Sequence, residues 1–223
     1  MEKENPLVSI ITPCYNGENV MHRLLDSILS QTYSNIEFIL INDGSTDHSE
    51  EIWYQYEKKF NEKGIKTIYI HQRNQGLGAA INAGLKVFTG DYLCWPDIDD
   101  YFEDTSVEKR VNFLETHKEY GSVSSDANQY MEDNLSEPVG TMASWLKHKE
   151  DEWQFEWLLK GQSLFCPGCH MLRTTSFLDV NPDRYIYPAR RGQNNQMLLP
   201  IYYKYKHGFI DEPLYNYIAV SYT

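Results

Sequence analysis

The sequence has little positive charge. Its 223 residues include 20 lysines and arginines against 32 aspartates and glutamates, so the formal net charge is −12. Nonspecific nucleic-acid binding requires a basic face, and the charge balance therefore argues against that class of protein. Any phosphate ligand would need a local source of positive charge, for which a divalent cation held by carboxylates is the simplest candidate.

Cysteine and long apolar runs are also scarce. The four cysteines are too few for a disulfide-dense secreted fold of this length. No stretch approaches 18 uncharged apolar residues, and residues 1–6 lack the apolar region of a signal peptide. We therefore expect a cytoplasmic protein whose thiols are reduced.

Strand and helix signals alternate over the first 100 residues. Strands are predicted at 8–12, 36–41, 66–71 and 91–95. Helices are predicted between them, at about 18–31, about 47–60 and 77–87. Strands separated by helices of this length predict βαβ units and a mostly parallel sheet flanked by helices, which is an α/β fold. Ligands of such sheets bind where the carboxyl ends of the strands meet.

The second half of the chain is less regular. Helices are predicted at 105–118, 152–159, 174–180 and 193–206, with one or two strands at 122–132 and short strand-like segments at 208–210 and 213–217. Because no internal repeat or low-complexity linker separates the halves, we predict a single domain over 1–223, in which the second half covers the site opened by the first.

Three carboxylates follow the fourth predicted strand within four residues, in Pro96-Asp-Ile-Asp-Asp100. They would repel one another at a strand end, and a hard divalent cation would relieve that repulsion. An extended segment would pair Asp97 with Asp99, whereas a turn would pair Asp99 with Asp100. The alternative interpretation is a solvated helix N-terminus, where acidic residues are favoured.

Two other loops follow predicted strands. Asp43 ends the second strand, where its carboxylate is able to accept a hydrogen bond from a base N–H. The alternative for this loop is a helix cap, and both roles are compatible. Tyr15 follows the first strand and is placed to stack on a planar base, although ordinary packing is the plainer reading of a single tyrosine.

Five motifs occur in one order: Ile11-Thr-Pro-x-Tyr-Asn16, Asp43-Gly-Ser-Thr-Asp47, Asn74-x-Gly-Leu-x-Ala-Ala80 with Asn82-x-Gly84, Gly90-Asp-Tyr-Leu93, and Asp97-x-Asp-Asp100. Together they resemble family 2 glycosyltransferases with the GT-A fold. The resemblance is close over about 1–105 and returns in Gly208-Phe-Ile-Asp-Glu-Pro-Leu-Tyr-x-Tyr217. It implies a nucleotide-binding half at about 1–105 and an acceptor-facing half at about 106–223.

The resemblance also implies a donor, a cofactor and an acceptor. The donor would be a nucleotide-diphosphate sugar, usually a UDP-sugar, with Mn²⁺ or Mg²⁺, and transfer to a glycan or lipid-linked acceptor would invert the anomeric configuration, as in polysaccharide biosynthesis. The implied donor-site residues are Pro13 and Tyr15 at the nucleobase, Asp43 as its acceptor, Arg73 or Asn74 toward the nucleotide, and Asp97 and Asp99 at the ribose and metal.

Two positions depart from the family pattern. Many members carry arginine where this sequence has Ile81. The family's general base is an aspartate before the last helix, but the matching run here contains Gln193 and Asn194, and amides do not act as general bases at neutral pH. Either these amides position the acceptor while another group serves as base, or activity is weak or lost. The candidate substitutes for the base are Asp179, Asp183 and His170.

Two alternative functions follow. A noncatalytic nucleotide-sugar or carbohydrate-binding module would keep the donor site without the base. A nucleotidyltransferase would also use paired carboxylates and a divalent ion. The loop at 13–17 contains no lysine or arginine, which counts against a nucleotidyltransferase phosphate loop.

Basic and aromatic residues alternate in Tyr202-Tyr-Lys-Tyr-Lys206. With Arg184, Arg190 and Arg191 they would form a patch for peripheral contact with an anionic membrane or a lipid-diphosphate acceptor. The plainer interpretation is a helix whose lysines extend over a core-facing surface.

Overall fold

A computed structural model describes residues 5–189 and 191–219. Over these residues nine strands form one sheet. The strands are β1 (Val8–Cys14), β2 (Ile36–Asn42), β3 (Lys66–His71), β4 (Tyr92–Cys94), β5 (Tyr101–Phe102), β6 (Tyr120–Met131), β7 (Gly140–Thr141), β8 (His170–Arg173) and β9 (Lys206–Ala219). The helices are α1 (Met21–Leu29), α2 (Ser49–Glu62), α3 (Leu77–Val87), α4 (Ser106–Thr116), α5 (Phe155–Leu159), α6 (Thr174–Val180) and α7 (Gln193–Lys204).

The sheet continues across both halves of the chain. Its strand order is β3-β2-β1-β4-β8-β6-β9-β5, and β7 pairs with β6. The ladders β1–β2, β1–β4, β2–β3 and β6–β9 are parallel and contain most of the paired residues. The antiparallel ladders have only two or three residue pairs each. The predicted α/β domain with a mostly parallel sheet and flanking helices is therefore confirmed.

Hydrophobic cores lie on both faces of the sheet. In β2, Phe38 and Leu40 face a cluster with α1, α2 and α4, whereas Ile39 and Ile41 face a cluster with α3, α6 and α7. Because side chains alternate along a strand, a strand covered on both faces reads as a continuous apolar run. This explains why 36–41 looks uniformly apolar apart from Glu37.

Most predicted elements are found close to their expected bounds, but β5, β7 and β8 were not predicted, and β9 is longer than expected. It is a single strand of 14 residues that pairs in parallel with β6. The sequence suggests two short segments because Pro213 interrupts the pattern. Pro213 lies beside the irregularity at Ser125 and Asp126, which is where a residue without a backbone N–H fits in a sheet.

Helix α1 begins later than predicted, at Met21. The backbone N–H groups of Val20 and Met21 both donate to the carbonyl of Gly17, so residues 17–20 form a turn. This turn holds the loop after β1 at the edge of the sheet where β2 and β4 also end.

Candidate functional site

Three adjoining clefts lie at the carboxyl ends of β1, β2 and β4. The central cleft, of about 500 Å³, is lined by Asp97 and Asp99. The β2-side cleft, of about 400 Å³, is lined by Asp43. The α7-side cleft, of about 310 Å³, is lined by Gln193 and Asn194. Leu77 lines all three, so the clefts form one continuous site.

The β2-side cleft brings together residues that the family resemblance assigns to the nucleotide. Pro13, Tyr15, Asp43 and Asn74 all line it. Tyr15 is 54% exposed, so its ring is available for stacking on a planar ligand. Arg73 is exposed and is not among the described residues that line the clefts.

Asp43 is buried and fixes the loop that follows β3. Its Oδ1 accepts from the Gln72 Nε2 at 2.7 Å and from the Gln75 backbone N at 2.9 Å, and its Oδ2 accepts from the Gly76 backbone N at 2.8 Å. A carboxylate has about four acceptor positions, so a ligand N–H is still able to bind. Asp43 therefore shapes one wall of the β2-side cleft whether or not it contacts a ligand.

The loops after β1 and β2 are joined by hydrogen bonds between motif residues. The Asn16 backbone N donates to Ser45 Oγ at 3.0 Å, and the Thr46 backbone N donates back to Asn16 Oδ1 at 2.8 Å. Gly44 has φ +74°, and a Cβ on it would lie 2.7 Å from the Asn74 backbone N. The asparagine and glycine of these motifs thus fix the loop conformations.

The side chains of Asp97 and Asp99 share the central cleft. Burial, and then the charge on Asp99, raises the pKa of Asp97 to about 7. Burial also raises the pKa of Asp99, which the Arg23 guanidinium lowers and the Glu132 carboxylate raises. Bringing a cation to the pair would favour the charged forms of both.

Asp100 faces away from this pair. It is 1% exposed and its Oδ1 accepts from the Ile218 backbone N at 2.8 Å. Burial, and then the charge on Asp99, raises its pKa well above the ordinary value. Of the two pairings that the sequence left open, the one that faces the cleft is therefore Asp97 with Asp99.

The residues of the central cleft supply only some of the ligands that a hard divalent cation needs. Carboxylate oxygens are the donors that Mg²⁺ and Mn²⁺ prefer. Within residues 5–189 and 191–219, no group of three or more histidine, cysteine, aspartate or glutamate side chains is arranged to hold a metal. The remaining ligands would have to come from phosphate oxygens and water.

Gln193 and Asn194 line the α7-side cleft, with their side-chain amides already bonded. Trp95 Nε1 donates to Asn194 Oδ1 at 3.1 Å, and Asn194 Nδ2 donates to the Phe165 carbonyl at 2.9 Å. Gln193 is buried and its Nε2 donates to the Ala189 carbonyl. These contacts hold the amides rigidly at the mouth of the cleft.

The three candidate substitutes for the base lie elsewhere. His170 is fully buried, which lowers its pKa to about 3. Asp179 pairs with Lys204 at 2.5 Å, and Asp183 is exposed on the surface. None of the three is among the described residues that line the clefts.

The basic residues near the C-terminus are largely engaged within the protein. Lys206 pairs with Glu152 at 2.8 Å, and Arg184 Nη1 donates to the Phe88 carbonyl at 3.0 Å. Arg190 lies outside the described residues. Among the helices that the structure describes, none is long and apolar enough to cross a bilayer.

Sequence reasoning missed several residues of the site. Arg23 and Glu132 line the central cleft, and Phe165 lines the α7-side cleft. Arg23 lies in the first turn of α1, shortly after the loop that follows β1. This closeness in sequence to a predicted site loop is a signal from which Arg23 could have been predicted. Glu132 comes to the cleft only through the β6–β9 pairing, which no local pattern predicts.

Comparison with known families decides what the chain is. The family model described as "Glycosyl transferase family 2" matches residues 9–180. The chain belongs to glycosyl transferase family 2. The resemblance seen in the sequence motifs is confirmed, and the chain is a glycosyltransferase domain. The nucleotidyltransferase alternative receives no support from this match.

Relatives within the family resemble the first half of the chain. An uncharacterized glycosyltransferase of Rickettsia prowazekii is 44% identical over 110 residues, which cover 49% of this chain and 32% of that protein. Glycosyltransferase GlyA of Streptococcus pneumoniae is 46% identical over 101 residues, covering 45% of this chain and 14% of that protein. The chain thus spans a third or less of the length of these relatives.

Solved structures share the fold of this family 2 domain. A structure of S. aureus TarS 1–349 in complex with UDP-GlcNAc has a TM-score of 0.76 and 20% identity, and the match covers 97% of this chain and 59% of that one. The mannosyltransferase PcManGT from Pyrobaculum calidifontis, in complex with GDP-Man and Mn²⁺, has a TM-score of 0.67 and 14% identity, covering 97% and 57%. At these identities the likeness concerns the fold, and the predicted GT-A type is confirmed.

Proposed function

We propose that this domain transfers a sugar from a nucleotide-diphosphate sugar, with UDP as the nucleotide, to a glycan or lipid-linked acceptor. The observation that carries the proposal is the position of Asp97, which lines both the central cleft and the α7-side cleft. A donor with its base in the β2-side cleft and its diphosphate in the central cleft would present its sugar beside Asn194. Complexes of the similar TarS fold with UDP-GlcNAc support this choice of donor.

In this proposal the loops of the site bind and orient the donor. Tyr15 stacks on the base from the rim of the β2-side cleft, and Pro13 and Asn74 flank it. Asp43 accepts from the base while it holds the loop after β3. Asp97 and Asp99 supply carboxylates to the ribose and to a divalent cation, Mn²⁺ or Mg²⁺, which when bound would neutralise charge on the leaving diphosphate.

The acceptor would enter through the α7-side cleft. Gln193 and Asn194, fixed by their bonds to backbone and Trp95, would orient the acceptor hydroxyl toward the anomeric carbon. A single displacement from this side inverts the anomeric configuration. Because amides do not act as bases at neutral pH, the proton of the acceptor hydroxyl would pass to a group other than Gln193 and Asn194. The proposal also includes a role in polysaccharide biosynthesis in the cytoplasm, with peripheral contact to a membrane.

The test is release of UDP from a set of UDP-hexoses and UDP-N-acetylhexosamines in the presence of Mn²⁺, with and without glycan acceptors. We expect UDP release from at least one donor, accelerated by an acceptor. Binding of a UDP-sugar with no release of UDP, alone or with any acceptor tried, would contradict transfer.

A binding module without activity is the second candidate, and the engaged amides of Gln193 and Asn194 favour it. The variant Asn194→Asp separates the two, because it places a carboxylate at the family's base position. In a module that lacks only the base, this change would create UDP release where the wild type has none. Asn112→Asp, on an exposed residue of α4 that lines none of the three clefts, is the matched control.

A further inference from the structure

The three clefts contain very little positive charge. Four carboxylates line them, from Asp43, Asp97, Asp99 and Glu132. Among the described lining residues, Arg23 is the only lysine or arginine. A diphosphate in the central cleft would therefore meet one fixed cation from the protein.

The guanidinium of Arg23 reaches the central cleft from the first turn of α1. Arg23 is partly buried, and within residues 5–189 and 191–219 its buried Nη1 has no hydrogen-bond partner. An unpartnered buried donor is unfavourable, so such a group in a native structure calls for an explanation.

Other buried or partly buried arginines contrast with Arg23. Arg110 donates to the Gly168 carbonyl at 2.8 Å and to Ser106 Oγ at 2.8 Å. Arg173 Nη2 donates to the Leu114 carbonyl at 2.6 Å. These two arginines bind backbone and hold the fold together, whereas Arg23 lines a cleft and its Nη1 has no hydrogen-bond partner among the described residues.

The position of Arg23 relative to Asp99 is also informative. Arg23 and Asp99 both line the central cleft. A cation beside the metal-binding pair would serve a ligand whose negative charge is spread over several oxygens. Diphosphate has this property, and the planar guanidinium matches phosphate oxygens in bidentate geometry.

We propose that Arg23 binds the diphosphate of the nucleotide-sugar donor, as a fixed cation that acts together with the metal held by Asp97 and Asp99. This inference rests on the proposed donor site and adds a binding residue to it. It explains how an acidic protein holds a diphosphate in a cleft lined by carboxylates.

The test compares UDP with uridine, which keeps the base and ribose and lacks the phosphates. Dissociation constants for both are measured with Mn²⁺ for the wild type, Arg23→Met, Arg23→Lys and the control Lys58→Met, by calorimetry for UDP and ligand-observed NMR for uridine. Lys58→Met removes one positive charge from an exposed position of α2, remote from the lining residues. Circular dichroism confirms that each variant is folded.

We expect Arg23→Met to weaken UDP binding by about tenfold or more, as for loss of a charged hydrogen bond. Uridine affinity should be unchanged in this variant, Arg23→Lys should be intermediate, and Lys58→Met should match the wild type. Unchanged UDP affinity in Arg23→Met, or equal losses of affinity for UDP and uridine, would overturn the role of Arg23 and leave the donor site standing. Should Arg23→Met fail to fold, Arg23→Gln takes its place, and unchanged UDP affinity in that variant would overturn the role of Arg23. A wild type that binds no nucleoside diphosphate would refute the donor site as well.

Discussion

Asp97 and Asp99 come directly after a buried strand. Their burial in the central cleft, more than the presence of several aspartates in this loop, points to a cation site. Both lie in the central cleft, and burial raises the pKa of each. Asp100, one residue further, is bonded to β9 instead. Two neighbouring carboxylates that are difficult to ionise together are suited to a cation and poorly suited to solvent.

The first prediction concerns Asp99. Asp99→Ala is expected to abolish metal-dependent UDP binding and to leave the fold intact, because the side chain faces the cleft and not the core. Binding is measured by calorimetry with Mn²⁺, and the fold by circular dichroism. Asp104→Ala, at an exposed position, is the control. Unchanged UDP affinity in Asp99→Ala would refute the metal assignment.

At the scale of single elements, helix α3 packs closely against the sheet because Gly84 has no side chain. A Cβ on Gly84 would lie 2.4 Å from Ile11 Cγ2 and 3.1 Å from Ile41 Cδ1. These atoms belong to β1 and β2 in the core shared with α3. The helix thus packs closely on the strands whose loops form the site.

The second prediction follows from this packing. Gly84→Ala should destabilise the protein by about 1–3 kcal/mol, because overpacking outweighs the better helix propensity of alanine. Gly140→Ala is the control, since a Cβ there meets nothing within 4 Å. Urea denaturation gives both values. A Gly84→Ala protein as stable as the wild type would show that α3 has room to move.

A second element-scale feature is the pair of buried histidines between β6, β8 and β9. His207 contacts Ser122 Oγ and Ser124 Oγ, each at 2.9 Å. Burial, and then the charge of His170, lowers the pKa of His207 well below its ordinary value. Burial likewise lowers the pKa of His170 to about 3. Both histidines are therefore neutral in the folded protein at pH values where the unfolded chain binds protons.

The third prediction is acid sensitivity from this pair. Below about pH 6.5 the unfolded state binds more protons than the folded state, so the free energy of unfolding decreases as the pH is lowered. The decrease is up to about 1.4 kcal/mol per pH unit for each histidine. His207→Gln should reduce this slope relative to the wild type, and the difference between the two proteins isolates His207 from other titrating groups. Urea denaturation from pH 7 to pH 4.5 measures it. Parallel curves would contradict the prediction.

The elements that sequence reasoning located well are those with strong local patterns. Helix α3 and strand β3 have the predicted bounds because apolar spacing and flanking glycines or polar residues define them locally. The loops after β1, β2 and β4 line the clefts, as the strand ends predict, and the binding roles of their residues stay predictions. Strand β9 was predicted as two segments separated near Pro213, and Glu132 was not predicted as a site residue. The course of β9 and the position of Glu132 both depend on pairing between segments far apart in sequence.

At the scale of the whole molecule, one sheet joins the two halves of the chain. β6, β8 and β9 of the second half extend the sheet that β1–β4 begin, and β4 pairs directly with β8. The α7-side cleft is thereby fixed beside the central cleft, with Asp97 on the boundary. A donor and an acceptor bound in adjoining clefts would be held in one rigid frame, which favours reaction by proximity.

The central claim is that this acidic domain binds a nucleoside diphosphate through a metal. Calorimetric titration of UDP into the wild type, once with Mn²⁺ and once with EDTA, tests it most directly. We predict binding with Mn²⁺ and a loss of most affinity in EDTA, because three carboxylates and one arginine line the central cleft and would repel a diphosphate without a divalent cation. Equal UDP affinity in both conditions, or no binding of UDP, GDP or dTDP in either, would contradict the account.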